Sequence, residues 1–118
     1  MIKIKPNDRG SYDIFIRRGD SAYLDIKLSN IKMSPNQCHV IDKRPYNYKV
    51  GDKLLLAIEG GARIECDANK IMQIIPNDTL MSEPGEYNYQ IRLYSGVDVF
   101  TVSEGVFVIE EEAQWKQQ

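Results

Sequence analysis

Pro84-Gly85-Glu86-Tyr87-Asn88-Tyr89-Gln90-Ile91-Arg92-Leu93 is the stretch on which the reading of this chain turns. Tyr87, Tyr89, Ile91 and Leu93 alternate with Glu86, Asn88, Gln90 and Arg92. Successive side chains of a strand point to opposite faces, so the first set shares a core face and the second faces water. Ser95-Gly96 comes next, and another alternating run begins at Val97. Two such runs joined by a short linker predict a β-hairpin.

The same alternation recurs toward the N-terminus. Tyr12, Ile14 and Ile16 share a face, as do Leu24, Ile26 and Leu28, and then Leu54, Leu56 and Ile58. Arg18-Gly19-Asp20-Ser21, Lys49-Val50-Gly51-Asp52 and Gly60-Gly61 supply turns between them. Further strands are expected at residues 2–5, 63–66, 71–75, 97–102 and 105–109, with 71–75 buried on both faces because only Gln73 interrupts its apolar run. Pro76-Asn77-Asp78-Thr79 stops that run. Residues 29–48, broken by Pro35, Asn36 and Pro45, read as a long loop with one short strand near 37–41. No segment shows a convincing helical period: 67–75 lacks it, and 110–118 has little beyond Trp115 to bury. About eight or nine short strands separated by turns predict an all-β domain, a sandwich or a barrel.

The corner before Tyr87 narrows this to an immunoglobulin-like antiparallel β-sandwich. In such sandwiches a tyrosine near the start of a late strand bonds its hydroxyl back to the preceding corner. The local pattern is an acid, then a leucine, then a glycine two residues before the tyrosine, which here is Asp78, Leu80, Gly85 and Tyr87. Tyr89 stands where antibody domains carry their second cysteine, so an aromatic fills that core position. The expected core is Leu24, Ile26, Leu54, Leu56, Ile58, Tyr87, Tyr89 and Ile91.

Composition sets the function classes. The chain has 118 residues, 42% hydrophobic and 27% charged, with a net charge of −2. That excludes a disordered polar chain and gives no global positive field toward nucleic acid or anionic lipid, so neither is an expected partner. No apolar run approaches the roughly 20 residues that span a bilayer. Residues 1–6 read as a strand rather than a secretory signal, which predicts a cytosolic protein or one that leaves the cell without that signal. Two cysteines, Cys38 and Cys66, are too few for a disulfide framework or a zinc site alone and are expected to be unbridged.

No constellation carries chemistry. His39 is the single histidine, and its neighbour Cys38 would point to the opposite face of a strand. Glu110, Glu111 and Glu112 read as a solvated run of like charge, not a metal or acid-base site. Gly60-Gly61 lacks the lysine and hydroxyl partners of a phosphate loop. Arg18-Gly19-Asp20 spells the integrin-binding tripeptide, but a charged turn between two strands is the stronger reading. No catalytic residue, cofactor or metal ligand is singled out, and the expectation is a protein that is not an enzyme.

In this order and spacing the chain resembles the immunoglobulin-like N-terminal domain of phage and prophage upper baseplate proteins. The matching residues are Phe15-Ile16-Arg17-Arg18-Gly19-Asp20-Ser21 with the strand from Tyr23, then Tyr48-Lys49-Val50-Gly51-Asp52-Lys53-Leu54. Ile75-Pro76-Asn77-Asp78-Thr79, Gly85-Glu86-Tyr87-Asn88-Tyr89-Gln90-Ile91 and Thr101-Val102-Ser103-Glu104-Gly105-Val106-Phe107-Val108 complete the pattern. The resemblance implies a structural role in a phage tail, binding other baseplate and tail proteins, in the virion or in the bacterial cytoplasm when prophage-encoded. Domains of that family open longer proteins, so a chain that stops here is expected to be a stand-alone accessory piece or a prophage remnant. It implies no enzymatic residues. The expected division is a sandwich over 1–109 and a polar tail over 110–118. Homo-oligomers are also expected, through strand edges at residues 2–5 or 106–109, with Trp115 a possible interface residue. The alternative is a carbohydrate-binding β-sandwich module of a bacterial protein, using aromatics drawn from Tyr12, Tyr23, Tyr46, Tyr48, Tyr94 and Trp115.

Overall fold

The computed structural model describes residues 2–26 and 49–112. Along them run β1 (Lys3–Pro6), β2 (Tyr12–Arg17), β3 (Ala22–Leu24), β4 (Lys53–Ile58), β5 (Arg63–Asp67), β6 (Met72–Ile74), a one-turn helix α1 (Pro76–Leu80), β7 (Gly85–Ser95) and β8 (Asp98–Glu110). The fold is all-β apart from α1. Cys38, His39, the short strand expected at 37–41, Leu28, Tyr46, Tyr48 and Trp115 lie outside the described residues.

The run from Gly85 to Leu93 lies in β7, and the hairpin of β7 with β8 is the backbone of the molecule. Ser95 pairs with Asp98 across the turn, where Gly96 takes a positive φ of 60°. The two strands expected at 97–102 and 105–109 are one strand of 13 residues. The alternation breaks between them because the register shifts there: Ile91 faces Ser103 but Arg92 faces Thr101, leaving Val102 extra. Such a bulge flips the parity of the residues beyond it. Phe107 and Ile109 point into the core on one side of it, and Phe100 and Val102 pack against the core on the other.

Six strands form one sheet in the order β1-β2-β8-β7-β4-β5, and β3 with β6 forms a second, two-stranded sheet. All neighbours are antiparallel except β2 and β8, which run parallel with Ile14 opposite Phe107 and Ile16 opposite Ile109. A wholly antiparallel arrangement is therefore incorrect. Alternation reports which face a residue occupies and is silent on strand direction. The residues 106–109, expected as an edge, lie between β2 and β7 at the centre of the sheet.

The inward side chains of both sheets make one apolar cluster. Ile14, Ile16, Leu54, Leu56, Ile58, Tyr89, Ile91, Leu93, Phe107 and Ile109 come from the large sheet, and Ala22, Leu24, Met72 and Ile74 from the small one. Burying aliphatic side chains of this size stabilises a fold by roughly 1.5–3 kcal/mol each. Ile26 and Tyr87 are only partly buried at its margin. Residues 71–75 are not buried on both faces: Met72 and Ile74 point inward, while Ile71 is 55% and Ile75 47% exposed. Only the inner face of β6 meets the core. The stop at 76–79 is α1 itself. Pro76 has the φ that a first helical turn requires, and the Asp78 carboxylate accepts the Ile75 N–H at 2.8 Å, taking up a donor the helix start would otherwise leave open.

Candidate functional site

α1 is tied to the turn between β2 and β3 and, through Arg18, to the chain that leaves β8. The Thr79 hydroxyl oxygen accepts the Gly19 N–H at 2.7 Å and donates to the Pro76 carbonyl. Arg18 donates from Nε to the Ser82 carbonyl and from Nη2 to the Leu80 carbonyl, both at 2.8 Å, and pairs through Nη1 with Glu112. The Leu80 carbonyl is one that a helix C-terminus leaves without an internal partner, and Ser82 follows the C-cap Met81. The integrin-type tripeptide is thus a turn whose arginine is fully engaged within the chain. Its Gly19 supplies the positive φ of 85°. The glutamate run at 110–112 divides: Glu110 ends β8, and Glu112 holds Arg18.

The Tyr87 hydroxyl donates to the Glu83 carbonyl at 2.6 Å. Gly85 lies against the same ring, where an added Cβ would stand 3.9 Å from Tyr87 Cε2. Asp78 caps α1 through the Ile75 N–H. Leu80 is 41% exposed and lies near Gly19. The four corner residues therefore sit along one continuous path from α1 into β7.

A second polar cluster fixes the β1–β2 hairpin to the sheet. Asn7 Nδ2 donates to Asp13 Oδ1 and to the Glu104 carbonyl, while its Oδ1 accepts the N–H groups of Arg9 and Ser11. Asp13 Oδ1 also accepts the Val106 N–H at 3.0 Å. The Tyr89 hydroxyl donates to the Tyr12 carbonyl and meets the Ser103 hydroxyl, which in turn meets Ser11. Burial pushes the Tyr89 hydroxyl above the usual tyrosine range, against the lowering effect of its Ser103 bond. Sequence reasoning missed this cluster, because its members lie some ninety residues apart and only folding brings them together.

The two edges of the large sheet differ. In β1 the bond from Asn7 N–H to the Ser11 carbonyl sets the ladder, so Lys3 and Lys5 bond toward β2 and Ile4 and Pro6 face outward. Proline has no N–H to offer there. In β5 the bonds Ile58 N–H to Ala62 carbonyl and Ala68 N–H to Asp52 carbonyl set the ladder at its two ends. Ile64 and Cys66 therefore bond toward β4, and the N–H and C=O groups of Arg63 and Glu65 face outward, while the Asp67 carbonyl accepts the Lys70 N–H in the turn that follows. Among the described residues no strand pairs with that side of β5.

A polar concavity of about 620 Å³ opens on the outer face beside this edge, lined by Arg9, Glu59, Arg63, Asn88, Gln90 and Glu104 among others. Its charges are balanced, and among the described residues the one aromatic at its wall is Tyr89, which is buried in the core. A smaller, more apolar cavity of about 350 Å³ lies between Ile4, Ile14, Leu24, Ile26, Ile91 and Val102. Cys66 is a free thiol, held above its ordinary range by burial. Among the described residues no cluster of histidine, cysteine and acidic side chains is arranged to hold a metal, and no helix is long and apolar enough to cross a membrane. No family model, curated protein or solved structure matches the chain.

Proposed function

We propose that the chain is an immunoglobulin-like β-sandwich that serves as a non-enzymatic, protein-binding component of a phage or prophage tail baseplate. The observation that carries the fold half of this reading is the Tyr87 hydroxyl on the Glu83 carbonyl at the entry to β7. A tyrosine bonding back to the corner before the penultimate strand belongs to that architecture. Strand order supports it as well. β8-β7-β4-β5 follows the order of the G, F, C and C′ strands, and β3 with β6 follows that of B and E. The baseplate half rests on the motif order from Phe15 to Val108 and on the outward backbone groups of Arg63 and Glu65 at the β5 edge.

Particles purified from the source host after prophage induction test the reading by quantitative mass spectrometry. The expected result is this chain in fixed proportion to the tail proteins, retained through a high-salt wash. Absence from particles, together with saturable binding on a glycan array, would replace it with the carbohydrate-binding reading.

A further inference from the structure

We propose that the outer edge of β5 is a self-association site, at which the β5 strands of two copies pair antiparallel about a twofold axis and join two six-stranded sheets into one. The pairing rests on edge geometry and charge and stands or falls independently of the baseplate reading.

The backbone supplies the first argument. Arg63 and Glu65 present two successive outward N–H and C=O pairs with no proline among them, and the edge ends at Asp67, whose carbonyl accepts the Lys70 N–H at 3.0 Å. Such an edge is a template for another strand. The β1 edge is unsuited to this: Pro6 removes an outward donor, and pairing β1 with itself would set Lys3 and Lys5 against each other.

Charge supplies the second argument and selects the register. A twofold pairing that keeps faces matched must place odd residues of β5 opposite odd residues. Centred on Ile64, it sets Arg63 opposite Glu65 of the second copy and Glu65 opposite Arg63 of the second copy, with the two Ile64 residues face to face on the core side. Both charged pairs are complementary. Centred on Arg63, the pairing sets arginine against arginine. Centred on Glu65, it sets glutamate against glutamate. Asp67 is already engaged by Lys53 within the chain. Cross-strand pairs of opposite charge are favourable and like pairs unfavourable, so the Ile64-centred register is the one this strand specifies.

In that register only Arg63, Ile64 and Glu65 of each β5 lie opposite one another, a contact that falls among small, weak interfaces. Sedimentation equilibrium of the whole chain up to about 1 mM tests it. The expected result is a reversible dimer. Arg63→Glu and Glu65→Arg should each weaken it by about tenfold or more, since each turns both charged pairs repulsive. An equimolar mixture of the two variants should dimerise again, because every pair across the axis is then glutamate with arginine. Glu65→Pro should abolish association while leaving the thermal melt in place, because the lost N–H points away from β4. A Glu65→Pro protein that fails to fold leaves the decision to the charge variants. A wild-type chain that stays monomeric to that concentration overturns the proposal, as does a dimer that both charge variants leave unchanged or a mixture that does not re-form one.

Discussion

Gly105 sits where the β1–β2 hairpin closes on β8, and the absence of a side chain there is a structural requirement. A Cβ at that position would meet Asn7 Nδ2 and Asp13 Oδ1 at 2.6 Å and the Tyr12 carbonyl oxygen at 2.7 Å. A real Cβ would displace the Asn7–Asp13 bond and the backbone it holds. Gly105→Ala should therefore destabilise the chain by about 1–3 kcal/mol, the range for overpacked sites. Chemical denaturation measures this, and an unchanged midpoint would place the Asn7 cluster elsewhere. Tyr89, in the same cluster, makes a pH prediction. Its folded-state pKa is raised by burial above the unfolded value near 10. Its protonated form is the one the fold favours, so its contribution is fully present below about pH 10 and is lost as pH rises through the folded value. Stability should fall above about pH 10, and Tyr89→Phe should flatten that fall. An ultraviolet titration should show a tyrosine ionising above the usual tyrosine range, and its persistence in Tyr89→Phe would assign it to another residue.

At the scale of elements, the corner and the bulge decide how strands are placed. The Tyr87 hydroxyl joins β7 to the chain leaving α1, four residues upstream at Glu83. That bond lies at the surface, where water competes, so Tyr87→Phe should cost about 1 kcal/mol, the net value of one neutral hydrogen bond. Urea melts of the two proteins decide it, and identical midpoints would mean that the corner holds without the hydroxyl. Elements with clean alternation were legible in the sequence: Leu54, Leu56 and Ile58 in β4, and Tyr89, Ile91 and Leu93 in β7, are buried where the pattern puts them. Where a local pattern is interrupted by a tertiary event, it misleads. Val102 makes β8 read as two strands, since a bulge changes parity without leaving a turn residue. α1 is too short for a helical period to register, and its helical character comes from Pro76, Asp78 and the Arg18 guanidinium rather than from propensity.

The whole molecule depends on strand order, the property least visible in a sequence. The parallel contact of β2 with β8 joins residues more than ninety positions apart and moves residues 106–109 from an edge to the centre. It also makes β5 an edge, which no feature of residues 63–67 announces by itself. Among the described residues the sheet has one edge closed by Pro6 and flanked by Lys3 and Lys5, and one edge that offers Arg63 and Glu65. A domain that binds proteins through that open edge should show it in amide hydrogen exchange measured across protein concentration. The Arg63 and Glu65 amides should exchange rapidly in dilute solution and become protected as concentration rises, while the Ile4 amide stays rapid throughout. Protection of Arg63 and Glu65 that is already complete at dilution, or still missing near 1 mM, would contradict the account.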